Sequence, residues 1–160
     1  MPIASTSRTD SPKRYLLDTN VFVYALGTNH PLRGPARALL QAAGAGDLEI
    51  TTTTMVLQEF LHVRSARRSR TDAAALTRDL ALACDPLLPV DRSDLTLAVE
   101  LFEVHPPLDA FDALLAAVGV RAGVDALVSA DRAFGVVEGL TWRDLAGYPA
   151  DTTGPADRDE

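Results

Sequence analysis

Residues 16–25 constrain the fold more than any other stretch of the chain. Two leucines lead into Asp18, two polar residues follow it, and an amphipathic pattern resumes at Val21. This order predicts a short buried strand that ends at Asp18 and a helix that begins directly after it. Sites in α/β proteins lie beyond the carboxyl ends of the strands, so Asp18 is a candidate site residue. The alternative is that Asp18 only caps the helix.

The alternation of strand and helix patterns continues along the chain. Apolar stretches predict strands at residues 15–18, 48–52, 87–90, 125–129 and 140–143. Helical patterns fill the intervals, first to about residue 26 and then at 31–43, 55–69, 72–83, 91–104 and 109–122. We therefore expect an α/β fold, with a short central parallel sheet flanked by helices in three α/β/α layers.

The two ends of the chain differ from the middle. We expect residues 1–13 to form a flexible leader, 14–148 the folded domain and 149–160 a flexible acidic tail. The leader has no apolar segment of the kind found in a signal peptide, and no apolar run reaches the roughly 20 residues of a membrane span. Cys84 is the single cysteine, which excludes an intrachain disulfide and favours a reducing, cytoplasmic location.

The formal net charge is −7. A protein that binds nucleic acid permanently through a basic surface is therefore disfavoured, because an acidic chain repels a polyanion. The objection is weaker for a metal-dependent enzyme, because bound dications offset clustered acids.

Two acids further along the chain have contexts that suggest a site. Glu59 lies within an apolar stripe formed by Val56, Phe60 and Val63 at helical spacing. If its carboxylate points inward it needs a cation or hydrogen bonds, whereas on the rim of the stripe it would reach water. Asp131 follows a predicted strand by two residues and is either a site residue or a turn acid.

A third acid, Asp112, stands three residues after Asp109 at the start of a predicted helix. A negative charge is favourable there by about 0.3–1 kcal/mol, so a structural role is a real alternative. Asp112 shares a helix face with the small residues Ala116 and Gly119, which predicts room for a metal and a phosphate. Asp109 and Asp94 are better explained as helix caps.

Four carboxylates from four separate elements favour a site for a hard divalent cation. Packed carboxylates raise each other's pKa unless a dication lies among them, and Mg²⁺ or Mn²⁺ prefers oxygen ligands. The histidines have no partner at metal-ligand spacing, which disfavours zinc. No phosphate-binding loop, dinucleotide fingerprint or nucleophile–histidine–acid set is apparent. The candidate metal ligands and catalytic residues are Asp18, Glu59, Asp112 and Asp131.

Taken together, these motifs resemble those of PIN-domain ribonucleases, specifically the VapC-type toxins of type II toxin–antitoxin modules. The resemblance spans about residues 14–148, and the matching segments are 17–20, 58–59, 111–117 and 127–134. It implies that the four acids bind Mg²⁺ or Mn²⁺. It also implies that Asn20 supports the first acid and that Ser129 supplies a hydroxyl near the fourth.

The resemblance further implies the reaction and the partners. The expected activity is hydrolysis of RNA phosphodiesters by an endoribonuclease, in which a bound metal activates the attacking water. The expected partners are RNA, a cognate VapB-type antitoxin and a second copy of the chain, with no membrane involved. Four arginines near the end of the Glu59 helix are candidates for holding phosphates, or they only solvate the helix end: Arg64, Arg67, Arg68 and Arg70.

Two other functions stay open from the sequence. A phosphohydrolase of the haloacid-dehalogenase type would use Asp18 as nucleophile, but such enzymes usually have a second aspartate where Asn20 stands. They also use a downstream lysine, and Lys13 is the only lysine of the chain. A catalytically silent PIN-like interaction module is the other alternative, against which the four acids argue. A nuclease assay with and without EDTA separates the three.

Overall fold

The computed structural model describes residues 11–148. The strands in this part of the chain are β1 (Arg14–Leu17), β2 (Glu49–Thr51), β3 (Ala126–Ser129) and β4 (Trp142–Asp144). The helices are α1 (Thr19–Ala25), α2 (Arg33–Ala45), α3 (Thr54–Ser65), α4 (Arg70–Ala83), α5 (Arg92–Val104) and α6 (Ala110–Ala122). Short 3₁₀ turns follow β3 and β4, at Arg132–Val136 and Leu145–Gly147. The predicted tail, and the predicted leader up to residue 10, lie outside the described residues.

The strands form a parallel sheet in the order β2-β1-β3-β4. Leu16 of β1 lies opposite Thr51 of β2 on one side and Leu127 of β3 on the other. The two middle strands are almost entirely buried, as expected for a parallel sheet covered on both faces. The predicted three-layer α/β/α architecture is confirmed. Asp18 and Asp131 follow the two middle strands and therefore lie at the same carboxyl edge.

The helices pack in two groups. Helix α1 contacts α2 and α3, and α3 contacts α4, while α5 and α6 pack as a pair. Phe22 of α1 and Phe60 of α3 are fully buried and meet edge to face, with ring centroids 6.4 Å apart. This contact holds α3 against α1, so that Glu59, the neighbour of Phe60, lies beside the helix that Asp18 begins.

The strand predicted at residues 87–90 does not form. Leu88 makes only an isolated parallel bridge to Thr53. Pro86 and Pro89 stand on either side of Leu88 and carry no backbone N–H group. Because a sheet ladder needs those donors, the pairing stops at a single bridge.

Two predicted helix boundaries were also wrong. The helix predicted at 55–69 ends at Ser65, because the hydroxyl of Ser69 caps the next helix by accepting a hydrogen bond from a backbone amide. The helix predicted at 31–43 continues to its C-cap at Gly46, whose φ of 83° is the left-handed conformation that glycine adopts without strain.

Candidate active site

A cavity of about 490 Å³ at the carboxyl edge of the sheet contains all four predicted acids. Asp18 comes from the end of β1, Glu59 from α3, Asp112 from the first turn of α6 and Asp131 from the turn after β3. The convergence predicted from the sequence is therefore present in the fold. Parallel strands bring their carboxyl ends to one edge, and the helices that follow them begin at that edge.

Asp18 is the most deeply buried of these acids, with 7% of its surface exposed. Its carboxylate accepts hydrogen bonds from the Thr19 amide (2.7 Å), the Asn20 side-chain amide (3.0 Å) and the Ser129 hydroxyl (2.7 Å). Burial raises the pKa of Asp18, the bonds from Ser129 and Thr19 oppose that rise, and the charges of Glu59 and Asp131 add to it. Asp18 is also the N-cap of α1. It therefore caps the helix, as one interpretation of the sequence suggested, and it lines the cavity as well.

Ser129 is the centre of a polar network beneath the cavity, and it is fully buried. Its hydroxyl donates to Asp18 and accepts from the Asn20 side-chain amide (2.9 Å) and the Asp131 backbone amide (2.9 Å). The Asn20 side-chain oxygen accepts from the amide of Ala130 at 3.2 Å. Asp131 is exposed, and one of its carboxylate oxygens accepts from a backbone amide of the turn that it caps. These contacts fit the supporting positions predicted for Asn20 and Ser129.

Glu59 lies on the rim of the cavity and is an exposed residue. One of its carboxylate oxygens accepts a hydrogen bond of 2.6 Å from the hydroxyl of Thr19, which is buried. The sequence offered an inward carboxylate or a solvated one. The structure combines the two, because the side chain meets water and is still held towards the cavity by Thr19.

Asp112 is half-buried and faces the cavity from α6. Within residues 11–148 no hydrogen bond to its carboxylate is present, since the capping bonds of this helix end on Asp109. Burial, followed by the charges of Asp18, Asp109, Asp131 and Glu59, raises the pKa of Asp112 to about 7. An acid in this environment binds a proton far more readily near neutral pH than an ordinary aspartate, and a nearby cation would oppose that.

The small residues of α6 have a different role from the one predicted. A Cβ atom at Gly119 would lie 2.9 Å from Leu140 and 3.2 Å from Leu16, so a larger residue there would collide with the core. Ala116 is also fully buried. The small face therefore brings α6 close to the sheet, and the prediction that it leaves room for a metal and a phosphate was wrong.

The acids set aside as caps are caps. Asp91 and Asp94 form a reciprocal capping box at the start of α5, and Asp109 caps α6. Asp94 is in addition fully buried and paired with Arg121, with 2.6 Å between the Arg121 Nε and a carboxylate oxygen. That ion pair joins α5 to α6 and explains the burial of Asp94 without any site role.

The four arginines that were candidates for holding phosphates lie in different environments. Arg64 is held by Asp72, with a contact of 2.6 Å, and donates to the carbonyl of Leu26 at 2.6 Å. Arg70 begins α4 and lines a separate hollow. Arg67 lines the cavity that holds the acids. Arg67 and Arg68 both line a second cavity next to it.

Sequence reasoning missed Thr19 and the pair Tyr24 and His30, which stack with ring centroids 4.2 Å apart and line the cavity. A signal existed for the α1 residues, because Asn20, Val23 and Tyr24 are spaced as neighbours on one helix face. His30 lies in the following loop and had no local signal.

The four carboxylates fit a hard divalent cation. They provide only oxygen ligands, and burial together with the neighbouring carboxylates raises the pKa values of Asp18 and Asp112, so a nearby cation would favour their ionised forms. Within residues 11–148 no three acidic, histidine or cysteine side chains form a ready-made metal cage. Repulsion between carboxylates opposes such an approach until a cation offsets it.

A short parallel sheet with acids gathered at its carboxyl edge is the arrangement of a PIN domain, and this chain belongs to the PIN-domain family. The family model described as PIN domain matches residues 15–140. Among characterised relatives, ribonuclease VapC7 of Mycobacterium tuberculosis is 49% identical over 120 residues, which is 74% of this chain and 83% of the relative. Ribonuclease VapC23 of the same species is 38% identical over 117 residues, or 72% and 90% of the two chains.

Solved structures share the fold at much lower sequence identity. VapBC2 from Rickettsia felis, bound to a DNA fragment from its promoter, matches with a TM-score of 0.64 and 18% identity. VapBC-1 from nontypeable Haemophilus influenzae matches with a TM-score of 0.65 and 12% identity. Each match covers 82% of this chain and 98% of the neighbour. At this low identity the solved structures support only the fold, whereas the VapC ribonucleases are similar to this chain in sequence as well.

Proposed function

We propose that the protein is an Mg²⁺- or Mn²⁺-dependent endoribonuclease of the VapC toxin type, which hydrolyses RNA phosphodiesters. The observation that carries the proposal is the cavity in which four carboxylates converge around the hydrogen-bonded Asp18. The names of the relatives, which are ribonucleases, point to the same substrate.

Asp18 and Asp112 are the proposed direct ligands, and Glu59 and Asp131 complete the set directly or through water. When bound, the ion would act as a Lewis acid that polarises the phosphodiester and lowers the pKa of the attacking water, so that this water can lose a proton and attack. The hydroxyls of Thr19 and Ser129 donate to Glu59 and Asp18, and His30 is stacked on Tyr24. We therefore propose water as the attacking group.

The chain's own residues prepare the acids for this task. The three donors to Asp18 fix the direction of its carboxylate and favour its ionised form. Thr19 holds Glu59, and Ser129 joins Asp18 to the backbone of Asp131. Among residues 11–148 no donor contacts the Asp112 carboxylate, and its raised pKa means that it must release its proton before it can act as a ligand.

A VapB-type antitoxin and a second copy of the chain are part of the proposal. The named structural neighbours are VapBC assemblies, which supports an antitoxin partner here. An exposed apolar stripe on α5, formed by Leu95, Val99 and Phe102, supports self-association. No helix within residues 11–148 is long and apolar enough to cross a membrane. We propose the cytoplasm as the location. Sedimentation of the purified protein tests whether two copies of the chain associate.

Cleavage of RNA by the purified protein tests the proposed function. We expect cleavage with Mg²⁺ or Mn²⁺, none with EDTA, and growth arrest when the protein is expressed without a partner. The Asp18→Asn variant should not cut RNA. Asparagine keeps the N-cap of α1 but removes the charge, so the variant should still fold. Cleavage that persists in EDTA or in the Asp18→Asn variant would contradict the proposal.

The same assay decides the two alternatives. A phosphohydrolase of the haloacid-dehalogenase type is poorly supported, because Lys13 precedes β1 at the opposite edge of the sheet from the acids. Asn20, which stands where the second aspartate would be, is bonded to Asp18 and Ser129. A silent PIN-like module would bind partners without cutting RNA under any metal condition.

A further inference from the structure

A second cavity of about 280 Å³ adjoins the cavity that holds the acids. It lies between the end of α1, at Gly27, and the end of α3, and we call it the α1–α3 cavity. Val23, Val63 and Arg67 line both cavities, so they form the wall that the two share. Phe60 contributes an apolar floor. A chain that leaves the acids in this direction would pass directly into the second cavity.

Three arginines surround the α1–α3 cavity, but only two of them are available to a ligand. Arg64 is engaged by Asp72 and by the carbonyl of Leu26. Arg67 and Arg68 are exposed, and within residues 11–148 their side chains make no salt bridge or hydrogen bond. Arg68 helps to lower the pKa of Asp72 through its charge, but within residues 11–148 it makes no hydrogen bond to that carboxylate.

The charge of the whole molecule makes these two side chains informative. A chain of net charge −7 with an acidic cavity repels a polyanion, so an RNA must find positive charge beside that cavity. A guanidinium presents N–H donors in a planar fork that matches a phosphate, and its face also stacks on a nucleobase. Arg67 and Arg68 offer both contacts next to an apolar floor.

We propose that Arg67 and Arg68 hold a backbone phosphate of the RNA next to the one that is cut, and that the α1–α3 cavity takes the attached base. This inference rests on the proposed ribonuclease function and adds a substrate subsite to it. The cavity volume lies just below the roughly 300–1,000 Å³ of typical ligand pockets, which suits a single base. The base must be unstacked to enter, so the subsite selects single-stranded or looped RNA.

Binding of a short single-stranded RNA at several salt concentrations tests the subsite. The measurement uses the Asp112→Asn background with Mg²⁺, so that the RNA stays intact, and compares it with the same protein carrying Arg67→Ala and Arg68→Ala. Each phosphate contact to a single strand contributes about 0.7 to the slope of log affinity against log salt. Between roughly 50 and 200 mM salt the reference should therefore lose about 2.6 times more affinity than the double variant, which is the effect of one phosphate contact.

Two controls make the result specific. Arg70→Ala with Arg78→Ala removes the same charge from a separate hollow, and it should leave the salt slope unchanged. The second control is a series of RNAs in which one phosphate at a time is replaced by a neutral methylphosphonate. At one position the RNA should already have lost the contact, so that the Arg67 and Arg68 substitutions cause no further loss of affinity. A loss that is equal at every position would mean general attraction and would overturn the subsite.

Failure of the subsite and failure of the proposed function give different results. If the unsubstituted protein cuts RNA but the Arg67 and Arg68 substitutions leave RNA binding unchanged, the subsite is wrong and the cavity is left for a side chain of a protein partner. If RNA binding depends on both arginines at one phosphate but no cleavage occurs, the nuclease assignment falls, and Arg67 and Arg68 form an RNA-binding site that is not a substrate subsite.

Discussion

Replacing Asp112 by asparagine should make the metal-free protein more stable while it abolishes cleavage. The folded carboxyl has a pKa of about 7, against 3.8 for an unperturbed aspartate. Between these two values the folded state binds more protons than the unfolded chain, so stability falls as the pH rises from about 4 to about 7. Above pH 7 the native protein carries the full cost of an ionised Asp112 among like charges.

The size of the effect follows from the shift. About three pKa units at about 1.36 kcal/mol each give an upper bound near 4 kcal/mol. Asp112 is only half-buried, so solvent screening reduces that value. Asparagine also gives up about 0.3–1 kcal/mol of favourable interaction with the start of α6. We expect a net gain of about 1–2 kcal/mol at pH 8, or roughly 2–8 °C in Tm for a chain of this size.

Thermal unfolding in EDTA at pH 5 and pH 8 measures this gain. The Asp112→Asn variant should exceed the unsubstituted protein at pH 8, and the difference should shrink at pH 5. Asp79→Asn is the matched control, because it removes the same charge from an exposed position on α4. A loss of stability in Asp112→Asn at pH 8, or an equal gain in Asp79→Asn, would refute the reasoning and favour a structural role for Asp112 in its helix.

Three further results are expected. Ser129→Ala should retain the fold but weaken divalent-metal binding by about 10–100-fold in calorimetry, because Asp18 and Asp131 lose the group that orients both; unchanged affinity would refute a positioning role. Mg²⁺ should raise Tm more at pH 8 than at pH 6, since protons compete for Asp112; equal shifts would contradict the assigned ligands. Arg121→Ala should destabilise the protein by about 3–5 kcal/mol in urea unfolding, because it leaves Asp94 buried without its partner, while the folded fraction still cuts RNA.

The sequence by itself was sufficient for the elements that depend on local patterns. Strand and helix periodicity predicted the parallel sheet, and acids that follow strands or begin helices were expected at its carboxyl edge, where Asp18 and Asp131 lie. The capping roles of Asp94 and Asp109 were also predictable, because a cap acts within three residues of itself. The strand predicted at 87–90 was wrong because its apolar side chains cannot replace the backbone donors that Pro86 and Pro89 lack.

Only the tertiary structure decided how distant residues meet. The bond between Thr19 and Glu59 joins positions 40 residues apart, and the bond between Ser129 and Asp18 joins positions 111 residues apart. Such contacts depend on how helices pack on the sheet, which no local spacing records. Packing likewise paired Arg64 with Asp72 and left the neighbouring Arg67 at the wall of the acidic cavity. Local propensity thus determines the elements and their ends, and the close packing of those elements determines which polar groups are paired, buried or free to bind.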